Sequence, residues 1–196
     1  MVSLTQKERE TVLILLKDYT SFYNANSISK VLSMSHVGAQ KIFKRLLQEN
    51  IVLSKTIGKS IVYKLNFAND YVSILLSFLL ADEANKFKRW KEEFKEFSKK
   101  GQIVMLFGSV IKDYAHARDI DMMLVIENKN ITEVNEILKK KEEILPKRLH
   151  VIKLNHKDLL DNLKKKDRAF VDIIKNAIIL YGQDNYVEKL KNVASF

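Results

Sequence analysis

The chain has 196 residues, which is enough for one large domain or for two small ones that each bury a core. Its composition, with 30% charged and 46% hydrophobic residues and a net charge of +10, is that of a basic globular protein. The absence of cysteine excludes disulfides and thiolate metal sites.

The sequence predicts a cytoplasmic protein with no membrane segment. Residues Met1–Glu10 are too polar for a secretory signal, and a chain without cysteine suits the reducing cytosol. The longest apolar run, Tyr71–Ala81, is shorter than the ~20 residues that a membrane-spanning helix needs.

Three helices and a hairpin are expected in the N-terminal third. Thr5 and Glu8 form a capping-box pattern, and Ser27 is the expected cap of the second helix. The helices are predicted over residues 5–19, 28–32 and 36–50. Two β-rich runs, residues 51–54 and 60–65, flank a turn at Gly58 and predict a hairpin.

This order of elements resembles the winged helix-turn-helix family, which implies that the third helix enters the major groove of double-stranded DNA and that the hairpin lies near the backbone. Residues 1–69 hold ten Lys/Arg against four Asp/Glu, a local excess that suits a nucleic-acid surface. The DNA-contact residues implied by the resemblance are Ser35, His36, Gln40, Lys41 and Lys44 on the third helix, and Lys55 and Lys59 at the wing. Two alternatives stay open: these lysines are only a solvated face, or the module binds another protein.

A long helix is expected from Asn69 or Asp70 to about residue 100. Its first half, Tyr71–Ala81, is apolar nearly all round, which predicts burial between domains or a homodimer. In its second half the aromatic residues recur at helical spacing and predict packing on a sheet. The expected domains are therefore residues 1–68, a linker helix over 69–100, and residues 101–196.

The third portion has an α+β pattern, with strands at Ile103–Phe107, Asp119–Ile126 and Arg148–Leu154 separated by helical segments and followed by C-terminal helices. Gly108 and Ser109 follow the first strand, and a short helix is expected after them. Asp119 and Asp121 open the second strand and share one face, because strand side chains alternate. Two carboxylates on one face are typical of a divalent metal site, and a Gly-Ser turn suits phosphate oxygens. The alternative is that Asp-Ile-Asp only ends a loop before a buried strand.

The Gly-Ser…Asp-x-Asp pattern resembles the DNA polymerase β-like nucleotidyltransferase superfamily in its minimal form, over residues 102–185. The resemblance implies that Asp119 and Asp121 are catalytic ligands of Mg²⁺ or Mn²⁺. It also implies that Gly108 and Ser109 contact the triphosphate of ATP or another NTP. Lys112 stands where many relatives have a basic residue, and is either a phosphate contact or a surface lysine.

The sequence departs from this pattern in three respects. A second glycine soon after Gly-Ser is missing, and the spacing to Asp119, which Arg118 precedes, is one residue short of the commonest form. The third strand carries no carboxylate, and His150 is its nearest polar substitute. Glu127 lies too far along the second strand to replace it, and Asp113 reaches the site only if its loop folds back.

Two functions follow as hypotheses. The first is a DNA-binding protein whose nucleotidyltransferase domain binds metal–NTP and transfers a nucleotidyl group to a protein hydroxyl, such as that of a toxin-like partner, to a small molecule or to a nucleic-acid end. The second is a transcriptional regulator without enzymatic activity, in which the domain senses nucleotide or maintains a dimer. Whether the chain is an enzyme stays open at this stage.

Overall fold

The computed structural model describes residues 3–99 and 101–194. Contacts divide the chain into two compact units, Met1–Leu79 together with Lys191–Phe196, and Leu80–Leu190. A unit defined by its contacts is not thereby shown to fold alone. The domain boundaries expected after residues 68 and 100 therefore stay predictions.

The first unit begins with three helices and a two-stranded antiparallel hairpin, in the order expected from the sequence. The elements are α1 (Gln6–Lys17), α2 (Ala25–Val31), α3 (His36–Gln48), β1 (Val52–Ile57) and β2 (Ser60–Leu65).

The predicted capping box of α1 is present, and it also connects α1 to α3. The Glu8 carboxylate accepts a hydrogen bond from the Thr5 backbone N–H at 2.7 Å. The same carboxylate is buried and pairs with the Arg45 guanidinium of α3 at 3.0 Å. A hydrogen-bonded ion pair of this kind fixes the position of α1 relative to α3.

The expected cap of α2 is wrong by one turn. Asn24 caps the helix, since its side chain accepts from the Ser27 N–H at 2.8 Å, while the Ser27 hydroxyl accepts from the Asn24 N–H. Ser27 therefore sits inside the helix as the second half of a capping box. Both residue types favour helix starts, and the sequence alone does not tell which one begins the helix.

The hairpin is fixed against α3 by an aromatic pair. Phe43 and Tyr63 stack with their ring centroids 3.8 Å apart and nearly parallel. The Tyr63 N–H also donates to the Tyr23 carbonyl at 2.8 Å, which ties β2 to the segment before α2. Gly58 forms the turn with a φ of +59°, a conformation that glycine adopts without strain.

The single long helix expected over residues 69–100 is not formed. The chain folds instead as α4 (Asp70–Asn85), α5 (Lys88–Glu93) and a 3₁₀ turn, Lys95–Phe97. The helix stops before Phe87, and the chain then changes direction so that Trp90, Phe94 and Phe97 are all buried. Burial of three aromatic side chains outweighs the few hydrogen bonds that an unbroken helix would add.

The apolar part of α4 is only partly buried. Tyr71, Ile74 and Phe78 are exposed on one face at 38%, 69% and 56%. The expected homodimer would cover this face, and it stays a prediction. Within residues 3–99 and 101–194, no helix combines the length and apolar character that crossing a membrane requires.

The second unit is a mixed sheet with helices, as expected for an α+β domain. Its remaining elements are β3 (Ile103–Phe107), β4 (Asp119–Val125), α6 (Ile131–Ile144), β5 (Arg148–Leu154), α7 (His156–Lys165), α8 (Arg168–Asn176), β6 (Ile178–Tyr181) and α9 (Gln183–Lys191). The strand order is β5-β4-β3-β6, with β4 and β5 parallel and the other pairs antiparallel.

One face of this sheet packs on the aromatic residues of α5 and on α6. The sheet residues in this core include Ile120, Met122 and Leu124, every second residue of β4. Asp119 and Asp121 alternate with them and therefore point to the opposite face. The core thus decides which face carries the two carboxylates.

Candidate functional site

The two carboxylates of β4 lie where that strand meets the end of β3. Asp121 is paired in register with Phe107, the last residue of β3, so that Gly108 comes directly beside it. Asp119 and Asp121 are both half-buried, and the side chain of Asp121 is 24% exposed. Both carboxylates are therefore held on a strand and open on one side to solvent.

Gly108 is the point of closest approach in this site. Its φ of +77° and ψ of −159° belong to a region that only glycine adopts readily. A Cβ atom at this position would lie 2.2 Å from the Asp121 Oδ2 atom. The second carboxylate therefore packs directly on the bare Cα of Gly108, and a side chain at position 108 would displace it.

The expected helix after the Gly-Ser turn is only a 3₁₀ turn, Ser109–Ile111. The Ser109 carbonyl accepts from the Lys112 and Asp113 N–H groups, both at 3.0 Å, and this closes the turn. Only seven residues, 112–118, remain between this turn and the start of β4. Ser109 and Lys112 are exposed and follow Gly108 closely in the chain.

The loop turns without the missing second glycine because Asp113 supplies the turn. Its carboxylate accepts from the N–H groups of Ala115 and His116 at 3.0 and 3.3 Å and contacts the His116 ring nitrogen at 2.6 Å. These bonds, with the His116 side chain first, hold the pKa of Asp113 below its ordinary value. An aspartate used in this way folds its own loop and does not serve as the third carboxylate.

The same loop is fastened to the core through Tyr114. The Arg89 guanidinium lies 4.0 Å and the Lys147 ammonium 4.8 Å from the centroid of its ring, and Trp90 meets the ring edge-on. Lys147 also donates to the carbonyls of Ala115 and Ala117. Cations above an aromatic ring and at carbonyls add to the apolar contacts that Val110 and Ala117 of this loop make in the core.

His150 lies beside Asp121 on the neighbouring strand. The two residues are partners in the parallel pairing of β4 and β5, and the His150 Nδ1 atom is 3.0 Å from the Asp121 Oδ1 atom. The imidazole is thus placed where a third carboxylate would face the other two. Glu127 follows the far end of β4 and pairs with Lys129, so that it does not contribute. Across the described part of the chain, no three His, Cys, Asp or Glu residues form a group that could hold a metal ion.

Three unpaired cationic side chains lie near the two carboxylates, either along the chain or by strand register. Lys112, Arg118 and Arg148 are all exposed, and Arg148 is the register partner of Asp119. None of these three side chains has a hydrogen bond or ion pair within residues 3–99 and 101–194. The sequence singled out Lys112 only; the role of Arg148 depends on strand register, which the sequence does not state.

Residues 89–186, half of the chain, match the family described as Polymerase beta, Nucleotidyltransferase. The chain belongs to this family. The match begins at α5 and ends in α9, and it includes the whole sheet with Gly108, Asp119 and Asp121. No curated protein and no solved structure gives a significant match to the chain.

The residues expected to contact DNA lie in the first unit, outside the family match. Ser35 caps α3, because its hydroxyl accepts from the Gly38 N–H at 3.1 Å. The remaining six expected residues, His36, Gln40, Lys41, Lys44, Lys55 and Lys59, are all exposed.

Three of the expected DNA contacts come together in one cleft. His36, Gln40 and Lys59 line a cleft of about 290 Å³ between α3 and the hairpin. Lys55 pairs with Val62 in the hairpin and does not line the cleft. Lys41 and Lys44 lie on α3 outside the cleft. The cleft also contains residues that the sequence did not single out, notably Asn26, Ser60 and Tyr63.

The contact between Gly108 and Asp121 predicts that Gly108→Ala lowers the free energy of unfolding by more than the backbone strain of a positive φ alone. Gly101→Ala is the matched control, because Gly101 lies in the same unit with a φ of +83° and its added Cβ would meet only Glu127, at 3.6 Å. We expect Gly101→Ala to cost about 1–2 kcal/mol from backbone strain. Gly108→Ala should cost roughly 0.5–1.5 kcal/mol more, because the Asp121 side chain must also move away from its position. Denaturant unfolding followed by circular dichroism measures both, and equal losses would show that the close approach does not matter.

Proposed function

We propose that this protein binds DNA through its first unit and binds a divalent metal with a nucleoside triphosphate in its nucleotidyltransferase domain, with transfer of a nucleotidyl group to an acceptor as the first of two candidate functions. The observation that carries the proposal is the packing of Asp121 on Gly108. It places two carboxylates beside a Gly-Ser turn, with the exposed Ser109 hydroxyl and Lys112 ammonium next along the chain.

The donor set of this site fits one divalent ion. Mg²⁺ and Mn²⁺ prefer oxygen ligands, and Mg²⁺ is usually held by one or two carboxylates together with substrate phosphates. Asp119 and Asp121 would hold the ion, and the Ser109 and Lys112 side chains would donate to the phosphate oxygens of ATP or another NTP. A metal bound there supplies positive charge that neutralises the triphosphate during transfer. His150 orients the second carboxylate by its contact with Asp121.

The proposal predicts that Asp119→Asn with Asp121→Asn lowers the affinity for Mn²⁺–ATP. Removal of both negative charges should cost roughly 10- to 100-fold or more, as losses of ligand support do at other metal sites. The control is Glu136→Gln with Glu142→Gln, which changes charge equally on exposed positions of α6, the helix that packs on the opposite face of the sheet. Titration calorimetry with ATP and Mn²⁺ compares the three proteins. Unchanged affinity in the double aspartate variant would refute the nucleotide site.

His150 is the observation that favours a second candidate function. An imidazole in place of a third carboxylate suits Mg²⁺ poorly, and it is already engaged with Asp121. In this second candidate function the domain binds metal–NTP as a sensor, and the protein is a non-enzymatic transcriptional regulator.

In the first candidate function, the acceptor of the nucleotidyl group is a protein hydroxyl of a toxin-like partner, a small molecule or a nucleic-acid end.

The number of bound metal ions distinguishes these two readings. Wild-type protein saturated with a non-hydrolysable ATP analogue should hold one Mn²⁺ per chain, because only two carboxylates are available. His150→Asp adds a carboxylate beside Asp121 and should hold two, with a gain in nucleotidyl transfer to acceptors in cell extract. Electron paramagnetic resonance of free Mn²⁺ counts the bound ions. Two ions in the wild type would favour the active enzyme, and one ion in His150→Asp would refute our interpretation of position 150.

The first unit supports DNA binding by its order of elements and its charge. Three helices followed by a hairpin agree with a winged helix-turn-helix domain, and the exposed side of α3 carries Gln40, Lys41 and Lys44. A protein–protein role for the same module is the alternative. The positive excess of the N-terminal third favours the DNA reading.

Lys41→Ala with Lys44→Ala should weaken binding to duplex DNA and reduce its dependence on salt. Each lost phosphate contact lowers the slope of log K against log salt by about 0.9, so that loss of both should lower it by roughly 1.8. Lys139→Ala with Lys140→Ala removes the same charge from exposed positions of α6 and should leave the slope unchanged. Fluorescence anisotropy from 50 to 200 mM salt gives the slopes. Equal slopes in the two double variants would count against α3 as the DNA-binding helix.

A further inference from the structure

The cleft between α3 and the hairpin contains hydrogen-bonding groups that the protein itself does not use. It lies within the first unit and has a volume of about 290 Å³. The residues lining it are Asn24, Ala25, Asn26, His36, Gln40, Lys59, Ser60, Ile61 and Tyr63. We call this set the α3–hairpin cleft.

The lining of the α3–hairpin cleft is rich in donors and has no acidic residue. Six of its side chains can donate a hydrogen bond, namely those of Asn26, His36, Gln40, Lys59, Ser60 and Tyr63. Within the described residues, no hydrogen bond or ion pair engages the polar atoms of these six side chains. The side chain of Asn24 is different, because it caps α2. With the Lys59 ammonium among them and no carboxylate, these side chains suit a ligand that offers acceptors and negative charge.

The cleft is shaped before any ligand arrives. The Tyr63 ring is clamped on Phe43 at 3.8 Å, and its strand is tied to Tyr23 through the backbone. The capping box of Asn24 and Ser27 holds the segment that carries Asn26. Burial raises the pKa of Tyr63, so that its hydroxyl stays protonated and able to donate. A site of this kind binds without a large loss of conformational entropy.

The size of the cleft argues for part of a large ligand. Pockets that enclose a small molecule have volumes of ~300–1,000 Å³, and this cleft lies at the lower limit of that range. A phosphodiester linkage is small, negatively charged and accepts hydrogen bonds at its free oxygens. Its position beside the exposed side of α3 is where a strand of bound DNA would pass.

We propose that the α3–hairpin cleft holds a phosphodiester segment of one strand of bound duplex DNA, with Asn26, Ser60 and Tyr63 as neutral donors beside the cation of Lys59. The inference rests on the proposed DNA-binding function and adds to it three contact residues and their location. Phosphate contacts of this kind set the register of α3 on the duplex. They do not read the base sequence.

The test compares two variants that each lose two hydroxyl groups and no charge. Ser60→Ala with Tyr63→Phe removes hydroxyls from the cleft, and the phenylalanine ring keeps the stack on Phe43. Ser54→Ala with Tyr71→Phe removes exposed hydroxyls of the same unit that do not line the cleft. The full-length proteins are titrated against a duplex selected from a random pool by the wild type.

We expect the cleft variant to bind the duplex roughly 100-fold more weakly or worse, as loss of two hydrogen bonds to charged oxygens implies. Its salt slope should equal that of the wild type, because no cation has been removed. The control variant should bind as the wild type does. Replacement of single phosphates by neutral methylphosphonates should then weaken the wild type at one or two linkages, and should not weaken the cleft variant further at those linkages.

Three results would overturn the inference, and they differ from one another. Wild-type affinity in the cleft variant, while Lys41→Ala with Lys44→Ala weakens binding, would leave DNA binding intact and remove the cleft from it. Loss of binding to inorganic phosphate or ATP in the cleft variant, with unchanged affinity for duplex, would make the cleft a site for small anions. Absence of duplex binding by the wild type at any salt concentration would refute the proposed function together with the inference.

Discussion

The packing of the Asp121 carboxylate on the bare Cα of Gly108 is the constraint on which the nucleotidyltransferase site depends. It follows from the antiparallel register of β3 and β4, in which Phe107 and Asp121 are partners. The register in turn follows from the core, because Ile120 and Met122 must face α5 and α6. A shift of one residue would bury both carboxylates in the apolar core at a large cost in desolvation. Core packing and site geometry are therefore the same requirement.

The neighbouring strand gives this site its individual character. The strand order places β5 beside β4, and the parallel pairing puts His150 at 3.0 Å from Asp121. The Asp121 carboxylate accepts a hydrogen bond from the imidazole there. The positive side chains of Arg118 and Arg148 add to this difference. The result is a site with fewer negative charges than a site for two metal ions needs.

In the first unit, aromatic stacking positions the polar side chains around the α3–hairpin cleft. Aromatic stacking of Phe43 on Tyr63 sets the distance between α3 and the hairpin, and this distance opens a cleft rather than a closed core. The donors around the cleft are attached to three elements that are each independently held, by capping, by stacking and by strand pairing. Such preorganisation is typical of surfaces that bind a rigid ligand.

Local patterns in the chain were enough for the order of helices and strands, the capping box of α1, the alternation that puts Asp119 and Asp121 on one face, and the family of the second unit. Helix capping and the alternation of strand side chains involve residues close together in the chain, so they can be predicted without knowledge of the fold. The end of the helix before Phe87 could not be predicted, because the aromatic residues have the same helical spacing whether the helix continues or the chain turns. Only the sheet beneath them decided that it turns.

Contacts between distant segments could not be predicted for the same reason. The meeting of His150 with Asp121, the use of Asp113 inside its own loop, and the joining of Asn26, His36 and Ser60 around one cleft all depend on strand register and on loop closure. A one-residue change in register sends every side chain of a strand to the other face, and nothing within the strand itself records which register is chosen. The sequence determines which carboxylate, imidazole and amide side chains are available for binding. Only the folded structure determines the distances between them.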